Sequence, residues 1–96
     1  MKITAYNGFF KAMCNQTRLN IIISLQKGPK CVNEIVNEVK MEQSRVSHSL
    51  QCLEKNGFVK VTKNGKQRIY TLNNDTIEPI LNAVSKHVQK YNLKLC

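Results

Sequence analysis

The sequence predicts a mainly α-helical fold with one β-hairpin placed between the fourth and the fifth of five helices. Apolar residues recur at helical spacing on both sides of the segment 58–72. Within that segment, two short runs of β-favouring residues flank Asn64-Gly65, a dipeptide typical of two-residue type I′ turns because both positions need positive φ. Because the chain has 96 residues, we expect residues 1–96 to form one domain.

The first four helices follow from apolar spacing and from the residues that begin and end them. The first helix carries an apolar stripe at i, i+3, i+4 and i+7, made of Tyr6, Phe9, Phe10 and Met13. Asn15 or Thr17 can cap the second helix, which ends at Gly28-Pro29. Asn33 is the predicted N-cap of a short third helix, and the fourth is predicted over residues 43–56.

The closing helix is predicted to start at the capping-box-like run 75–78, and it carries a long apolar stripe. The stripe residues are Ile77, Ile80, Leu81, Val84, Val88 and Tyr91. A stripe of this length either packs on the core of its own chain or forms a seam with a second copy. We favour the seam, in which the first and the last helix pair two subunits of a homodimer.

Charge is concentrated in one part of the chain. The 15 Lys and Arg residues outnumber the six Asp and Glu residues, which gives a net charge of +9. Residues 43–72 contain six basic residues and one acid, hence +5. Such a cluster favours a polyanionic partner, with nucleic acid first. No apolar run approaches the length of a membrane span and no secretion signal is evident, so we expect a cytoplasmic protein without a membrane partner.

The outward face of the fourth helix indicates which polyanion is bound. Val46, Leu50 and Leu53 fall on one side, and the opposite side carries polar residues that donate to phosphates and base edges. A short helix, a turn, a second helix and a basic hairpin form the layout of a winged helix-turn-helix, in which the hairpin is the wing. The predicted contacts to double-stranded DNA are Gln43, Ser44, Arg45, Ser47, His48, Gln51, Lys63, Lys66 and Arg68.

Two alternatives to DNA binding are a solvated basic face and a winged helix whose hairpin contacts an acidic protein. An enzyme has little support. The chain has no Gly-rich phosphate loop and no nucleophile–base motif, and its six acids do not cluster. Its four cysteines lack the CxxC spacing of zinc ribbons, and we expect them to be reduced thiols.

Several motifs in order resemble the ArsR/SmtB family of dimeric winged helix-turn-helix repressors. The run FKAMCNQTRL at 10–19 resembles the family's ALANPTRL, and QSRVSHSL at 43–50 resembles QSTVSRHL. The run LEKNGFV at 53–59 resembles LREAGLV, and residues 65–72 resemble the wing. The resemblance implies a homodimeric repressor on a palindromic operator, released by a metal, a metalloid or a change of thiol state.

The sensing positions of that family match this chain only in part. Arsenic-sensing members resemble CVC at the start of the third helix, where this chain has Cys31-Val32-Asn33. At the positions of the zinc site on the last helix this chain has Asn74, Thr76, His87 and Lys90. His87 alone cannot hold zinc, so we expect that site to be lost. No cofactor is certain, and the candidates for a thiol-bound metal, metalloid or redox effector are Cys31 first, then Cys14 and Cys96. A DNA-binding regulator without any effector remains the alternative.

Overall fold

The computed structural model describes residues 1–91, which form five helices and a three-stranded antiparallel sheet. The elements are α1 (Ile3–Met13), α2 (Gln16–Gln26), β1 (Lys30–Cys31), α3 (Val32–Val39), α4 (Gln43–Lys55), β2 (Val59–Asn64), β3 (Gln67–Leu72) and α5 (Ile77–Tyr91). The predicted order of four helices, hairpin and fifth helix is confirmed. The structure adds β1, a strand of two residues that is too short to produce a periodic pattern in the sequence.

The helix starts are defined by their capping residues. Asn15 caps α2, because its side-chain oxygen accepts a hydrogen bond from the backbone N–H of Arg18 at 3.2 Å. The prediction of Asn33 as the N-cap of α3 is wrong: the helix begins two residues earlier, with Cys31 as the N-cap. The backbone N–H of Cys31 donates to Glu34 Oε1 at 3.0 Å, which satisfies a group that a helix start leaves unpaired.

The hairpin turn lies one residue later than the sequence predicts. Asn64 pairs with Gln67, so the two turn residues are Gly65 and Lys66 rather than Asn64 and Gly65. Only Gly65 has positive φ, at 67°, which is the requirement of a type II′ turn at its first central position. The register places Val59 opposite Leu72 and Lys63 opposite Arg68.

The core lies between the helices and one face of the sheet. Its buried apolar residues are Met13, Ile21, Ile22, Leu25, Ile35, Val46, Leu50, Leu53, Phe58, Val59, Tyr70, Leu72 and Ile77. Two residues that we assigned to the dimer seam, Met13 and Ile77, belong to this core, where they are 6% and 2% exposed. Neither side chain is accessible to a second copy, because α1 and α5 each turn one end of their apolar stripe toward their own chain.

Candidate nucleic-acid interface

Helix α4, which we call the reading helix, has one buried and one exposed side. Val46, Leu50 and Leu53 are fully buried. Gln43, Ser44, Arg45, His48 and Gln51 are exposed, and Ser47 is half-buried. The polar residues that the sequence singled out therefore share the outer side of one helix. Its first turn presents an amide, a hydroxyl and a guanidinium to the surroundings.

The turn between α3 and the reading helix directs that exposed side away from the core. Lys40 ends α3 in the left-handed conformation, with φ 57° and ψ 48°, and its N–H donates to Val36 O at 2.8 Å. The left-handed conformation is uncommon for a residue other than glycine. At the end of a helix it changes the direction of the backbone, so that the next helix can start within a few residues. The reading helix then starts after Glu42, whose carbonyl accepts from Val46 N at 3.0 Å.

The wing, formed by β2, β3 and their turn, brings three cations together at its tip. Lys63, Lys66 and Arg68 are all exposed. Lys63 lies directly opposite Arg68 in the antiparallel register, where two like charges repel each other. Neither residue makes an ion pair within residues 1–91, where Lys27–Glu38 at 3.2 Å is the single salt bridge. The tip thus carries positive charge that the described part of the chain leaves uncompensated.

The pleat of the hairpin determines which way these charges point. Side chains alternate between the two faces of a strand, so Val59, Val61 and Lys63 share one face. Their partners on β3 are Leu72, Tyr70 and Arg68, in that order. The face that fills the core near the base of the hairpin therefore carries cations at its tip. The charged pair faces the same side as the helices.

A cleft joins the reading helix to the wing. It has a volume of about 250 Å³ and is lined by Cys31, Val32, Asn33, Gln43, Gln67 and Arg68. The start of α3, the start of the reading helix and the tip of the wing thus meet at one place. Cys31 reaches it because β1 pairs with β3, with Cys31 opposite Ile69. Sequence reasoning selected Cys31 as a sensing residue but did not place it beside the predicted DNA contacts.

The surroundings of Cys31 are polar and partly open. The residue is half-buried, its thiol is free, and it caps α3. Hydrogen bonds from its backbone N–H and from its side chain lower the pKa of the Glu34 carboxyl below its ordinary value. A carboxylate therefore lies beside this thiol over the whole neutral pH range.

The other thiols lie in different places. Cys14 is exposed at the joint between α1 and α2, and Cys52 is half-buried on the reading helix. Cys96, the third sensing candidate, lies outside the described residues. Within residues 1–91, no three His, Cys, Asp or Glu side chains lie close enough together to hold a metal ion.

A second surface, between α1 and α5, is apolar. A groove of about 390 Å³ lies between α1 and α5 and is lined by Met1, Ala5, Tyr6, Phe9, Phe10 and Ile80. Phe10 is 52% exposed, and Val84 and Tyr91 farther along α5 are 52% and 60% exposed. Phe9, Ile80 and Leu81 are partly buried against the core, and Tyr6 and Val88 remain exposed. The apolar stripes of α1 and α5 thus leave the core and continue into open surface.

Comparison with known proteins assigns this architecture to a family. Residues 15–61, from the start of α2 into β2, match the family described as bacterial regulatory protein, arsR family. An uncharacterized HTH-type transcriptional regulator of Methanocaldococcus jannaschii, MJ1325, is 37% identical over 78 residues, which cover 80% of this chain and 88% of that protein. The chain belongs to the ArsR family. This ArsR-family protein is a DNA-binding transcriptional regulator and not an enzyme.

A solved structure and a further relative add detail to the family assignment. The ArsR-family chain is similar to the homodimeric winged helix-turn-helix DNA-binding domain Mb0332 of Mycobacterium bovis. The TM-score is 0.75 at 26% identity, and the match covers 88% of this chain and 77% of that one. It is also 30% identical, over 80 residues, to a cadmium resistance transcriptional regulatory protein CadC homolog of Staphylococcus aureus. That match covers 81% of this chain and 65% of the relative.

Within residues 1–91, no helix has both the length and the apolar character needed to cross a bilayer.

Proposed function

We propose that this ArsR-family protein is a homodimeric, sequence-specific repressor that binds a palindromic operator in the cytoplasm. The observation that carries the proposal is the unpaired cationic tip of the wing beside the exposed polar side of the reading helix. Lys63 and Arg68 face each other across the hairpin, and neither has an ion-pair partner among residues 1–91. A phosphate backbone supplies the negative charge that removes their repulsion.

The two parts of the surface have different tasks in this proposal. The reading helix enters the major groove with its N-terminal turn, where Gln43, Ser44 and Arg45 lie nearest the base edges. An arginine can read guanine by a bidentate contact of its planar guanidinium to O6 and N7. Lys63 and Lys66 act instead as point charges on the phosphates of the adjacent backbone. Base contacts specify the sequence, and phosphate contacts hold the protein in register.

The apolar surface of α1 and α5 supports a dimer. We infer that Tyr6, Phe10, Val84, Val88 and Tyr91 meet their counterparts on a second copy, so that residues 1–96 form one domain with dimerisation helices at both ends. Phe9, Ile80 and Leu81 border this seam from the core side. A two-fold axis presents two reading helices one DNA turn apart, about 34 Å, which requires a palindromic site. The homodimeric Mb0332 domain supports this arrangement.

Substitutions on the reading helix and on the wing are expected to have different effects on DNA binding. Arg45→Ala removes a base contact and should lower affinity for a selected operator by about 1–3 kcal/mol while leaving affinity for scrambled duplex nearly unchanged. The double variant Lys63→Ala/Lys66→Ala removes phosphate contacts and should weaken both duplexes equally. Fluorescence anisotropy with an operator selected from a random pool measures both effects.

A matched control separates the wing from net charge. Lys27→Ala/Lys86→Ala removes the same number of charges from exposed side chains outside the wing, the reading helix and the proposed dimer seam, and should change neither affinity by more than about twofold. If the control pair weakens binding as much as the wing pair, the wing assignment is wrong. If no duplex is bound above background, a winged helix that contacts acidic proteins replaces the DNA-binding proposal.

We further propose that a thiol-directed effector releases the repressor through Cys31. Three observations support this residue: it caps α3, it lines the cleft shared with Gln43 and Arg68, and it pairs with the wing through Ile69. A group attached to this sulfur changes the space between the reading helix and the wing. Thiolates bind soft metals and metalloids, and the relative named for cadmium resistance supports that class of effector. The described residues offer Cys31 and Glu34 as neighbouring donors, so further ligands come from the effector itself, from solvent or from a second subunit.

Release by thiol-directed reagents is expected to depend on Cys31. The operator complex is treated separately with arsenite, Zn²⁺, Cd²⁺ and a peroxide, and DNA release is followed by anisotropy. Wild type should release the operator with at least one reagent, and Cys31→Ser should stay bound. Cys14→Ser serves as the matched control, because this exposed thiol lies away from the cleft, and it should behave as wild type. Equal release from wild type and Cys31→Ser would refute the assignment, and no release from wild type would favour a regulator without an effector.

A further inference from the structure

One side chain connects three helices beneath the reading helix. The guanidinium of Arg18, near the start of α2, donates from Nη2 to the carbonyl of Lys11 in α1 at 3.3 Å. Its Nη1 donates to Sγ of Cys52 on the reading helix at 3.2 Å. Arg18 is half-buried, and its Nε is fully buried without a hydrogen-bond partner in the described structure. The planar fork of an arginine can hold two acceptors in a fixed relative geometry.

The contact to α1 is made at a backbone carbonyl that has no intrahelical hydrogen-bond partner. In a continuing helix, Lys11 O would accept from the N–H of residue 15. Here α1 ends at Met13, and Asn15 N donates to Met13 O at 2.9 Å instead. The last carbonyls of a helix attract cations, so the guanidinium both satisfies Lys11 O and complements the end of the helix dipole. Through its backbone N–H to Asn15, Arg18 also fixes the start of α2.

The contact to the reading helix occurs next to the predicted DNA contacts. Cys52 borders an open cavity of about 230 Å³ together with His48, Gln51 and Lys55. Asn56 Nδ2 contacts the same sulfur at 3.7 Å, from the end of the helix. The sulfur is thus held from two sides, one on α2 and one on α4. Arg18 thus ties the start of α2 to the helix that carries His48 and Gln51.

We propose that Arg18 is a positioning residue that fixes the angle of the reading helix relative to α1. This inference rests on the proposed function, in which α1 forms the dimer seam and α4 enters the major groove. Because each seam helix is tied to its own reading helix through one guanidinium, Arg18 sets the separation of the two reading helices in the dimer. A dimer with this fixed separation prefers operators that have a defined number of base pairs between their half-sites.

The test compares spacing preference among variants of the full chain. Wild type first selects an operator from a randomised duplex pool; duplexes with one base pair inserted or removed at the centre, and a scrambled duplex, are then titrated. Arg18→Ala should weaken binding to the selected operator by roughly tenfold, about 1.4 kcal/mol, and to scrambled duplex by less than about twofold. It should also prefer the original spacing less strongly than wild type does. Arg18→Lys should show the same pattern, because an ammonium does not hold both acceptors in the fork geometry.

Two further variants separate positioning from charge and from folding. Lys11→Ala removes a charge at the same joint while keeping the Lys11 carbonyl, and it should leave the spacing preference unchanged. Cys52→Ala removes the acceptor without changing the net charge and should weaken spacing preference in the same direction. Adding it to Arg18→Ala should have no further effect on spacing preference, because the contact between Arg18 and Cys52 is already lost in Arg18→Ala. Circular dichroism spectra of each variant are compared with that of wild type to check that the variant is folded.

The outcomes distinguish this inference from the function on which it rests. If wild type selects no sequence, the proposed function fails. If wild type is selective and both Arg18 variants keep its spacing preference, only the positioning role of Arg18 is overturned. Equal losses on selected and scrambled duplex would also overturn it, because they indicate a general loss of charge or fold.

Discussion

Raising the salt concentration from about 50 mM to about 200 mM is expected to weaken operator binding roughly two-thousandfold. Each subunit exposes three cations at the tip of the wing, Lys63, Lys66 and Arg68, so a dimer presents six to the phosphates. If each neutralises one phosphate, the slope of log affinity against log salt is about −5.4, since each phosphate contributes about −0.9. Titrations at five salt concentrations measure this slope directly.

The same experiment also reports on the oligomeric state and on the wing. A monomer with three phosphate contacts gives a slope of about −2.7, half the dimer value. Lys63→Ala/Lys66→Ala removes four cations per dimer and should make the slope shallower by about 3.6. A wild-type affinity that barely responds to salt would contradict the assignment of this surface to the phosphate backbone.

Truncating Phe58 is expected to destabilise the fold more than any substitution on the reading helix, the wing or the apolar surface of α1 and α5. Its side chain is fully buried between the end of the reading helix and the start of the wing, with its ring centroid 5.1 Å from that of Phe9. Phe58→Ala should lower the free energy of unfolding by about 3–5 kcal/mol. The free energy of unfolding of a native domain is only about 5–15 kcal/mol in total. We therefore expect much of the variant to unfold on mild heating. Urea denaturation at a fixed protein concentration measures the change.

Phe10→Ala provides a control of the same residue type on the other side of Phe9. The two rings pack edge to face with centroids 5.2 Å apart, but Phe10 is half exposed in the single chain. Its truncation should cost the monomer less than about 1.5 kcal/mol and should weaken the dimer, as measured by sedimentation. Equal losses of unfolding free energy, measured at concentrations at which both variants are monomeric, would show that Phe58 has no special place in the core.

Local sequence signals were sufficient to predict the element order and the inner side of the reading helix. The spacing of Val46, Leu50 and Leu53 indicates one buried helix side, and the structure buries all three. Gly65 marks the hairpin correctly, but the dipeptide preference placed the turn one residue too early. A turn preference is local, whereas the strand register is also set by which residues enter the core, here Val59 opposite Leu72.

Features that depend on contacts distant in sequence could not be predicted. The strand β1 has two residues and forms only because β3 lies beside it, so nothing local indicates that Cys31 borders the wing. Met13 and Ile77 belong to the apolar stripes of α1 and α5, and both are buried in the core of their own chain. The spacing of a stripe indicates which side of a helix is apolar, but not which of its residues pack on the core and which stay exposed. The link from Arg18 to Cys52 spans 34 positions and leaves no pattern in either segment.

The pleat of the wing restricts how its length can change during evolution. Lys63 and Arg68 point to the side of the helices because they lie an even number of residues from Val59 and Leu72. An insertion of one residue in each strand turns the charged tip to the opposite side, whereas two residues in each strand lengthen the wing and preserve its direction. Homologous hairpins whose charged tip faces the helices should therefore differ in length by steps of four residues, two in each strand.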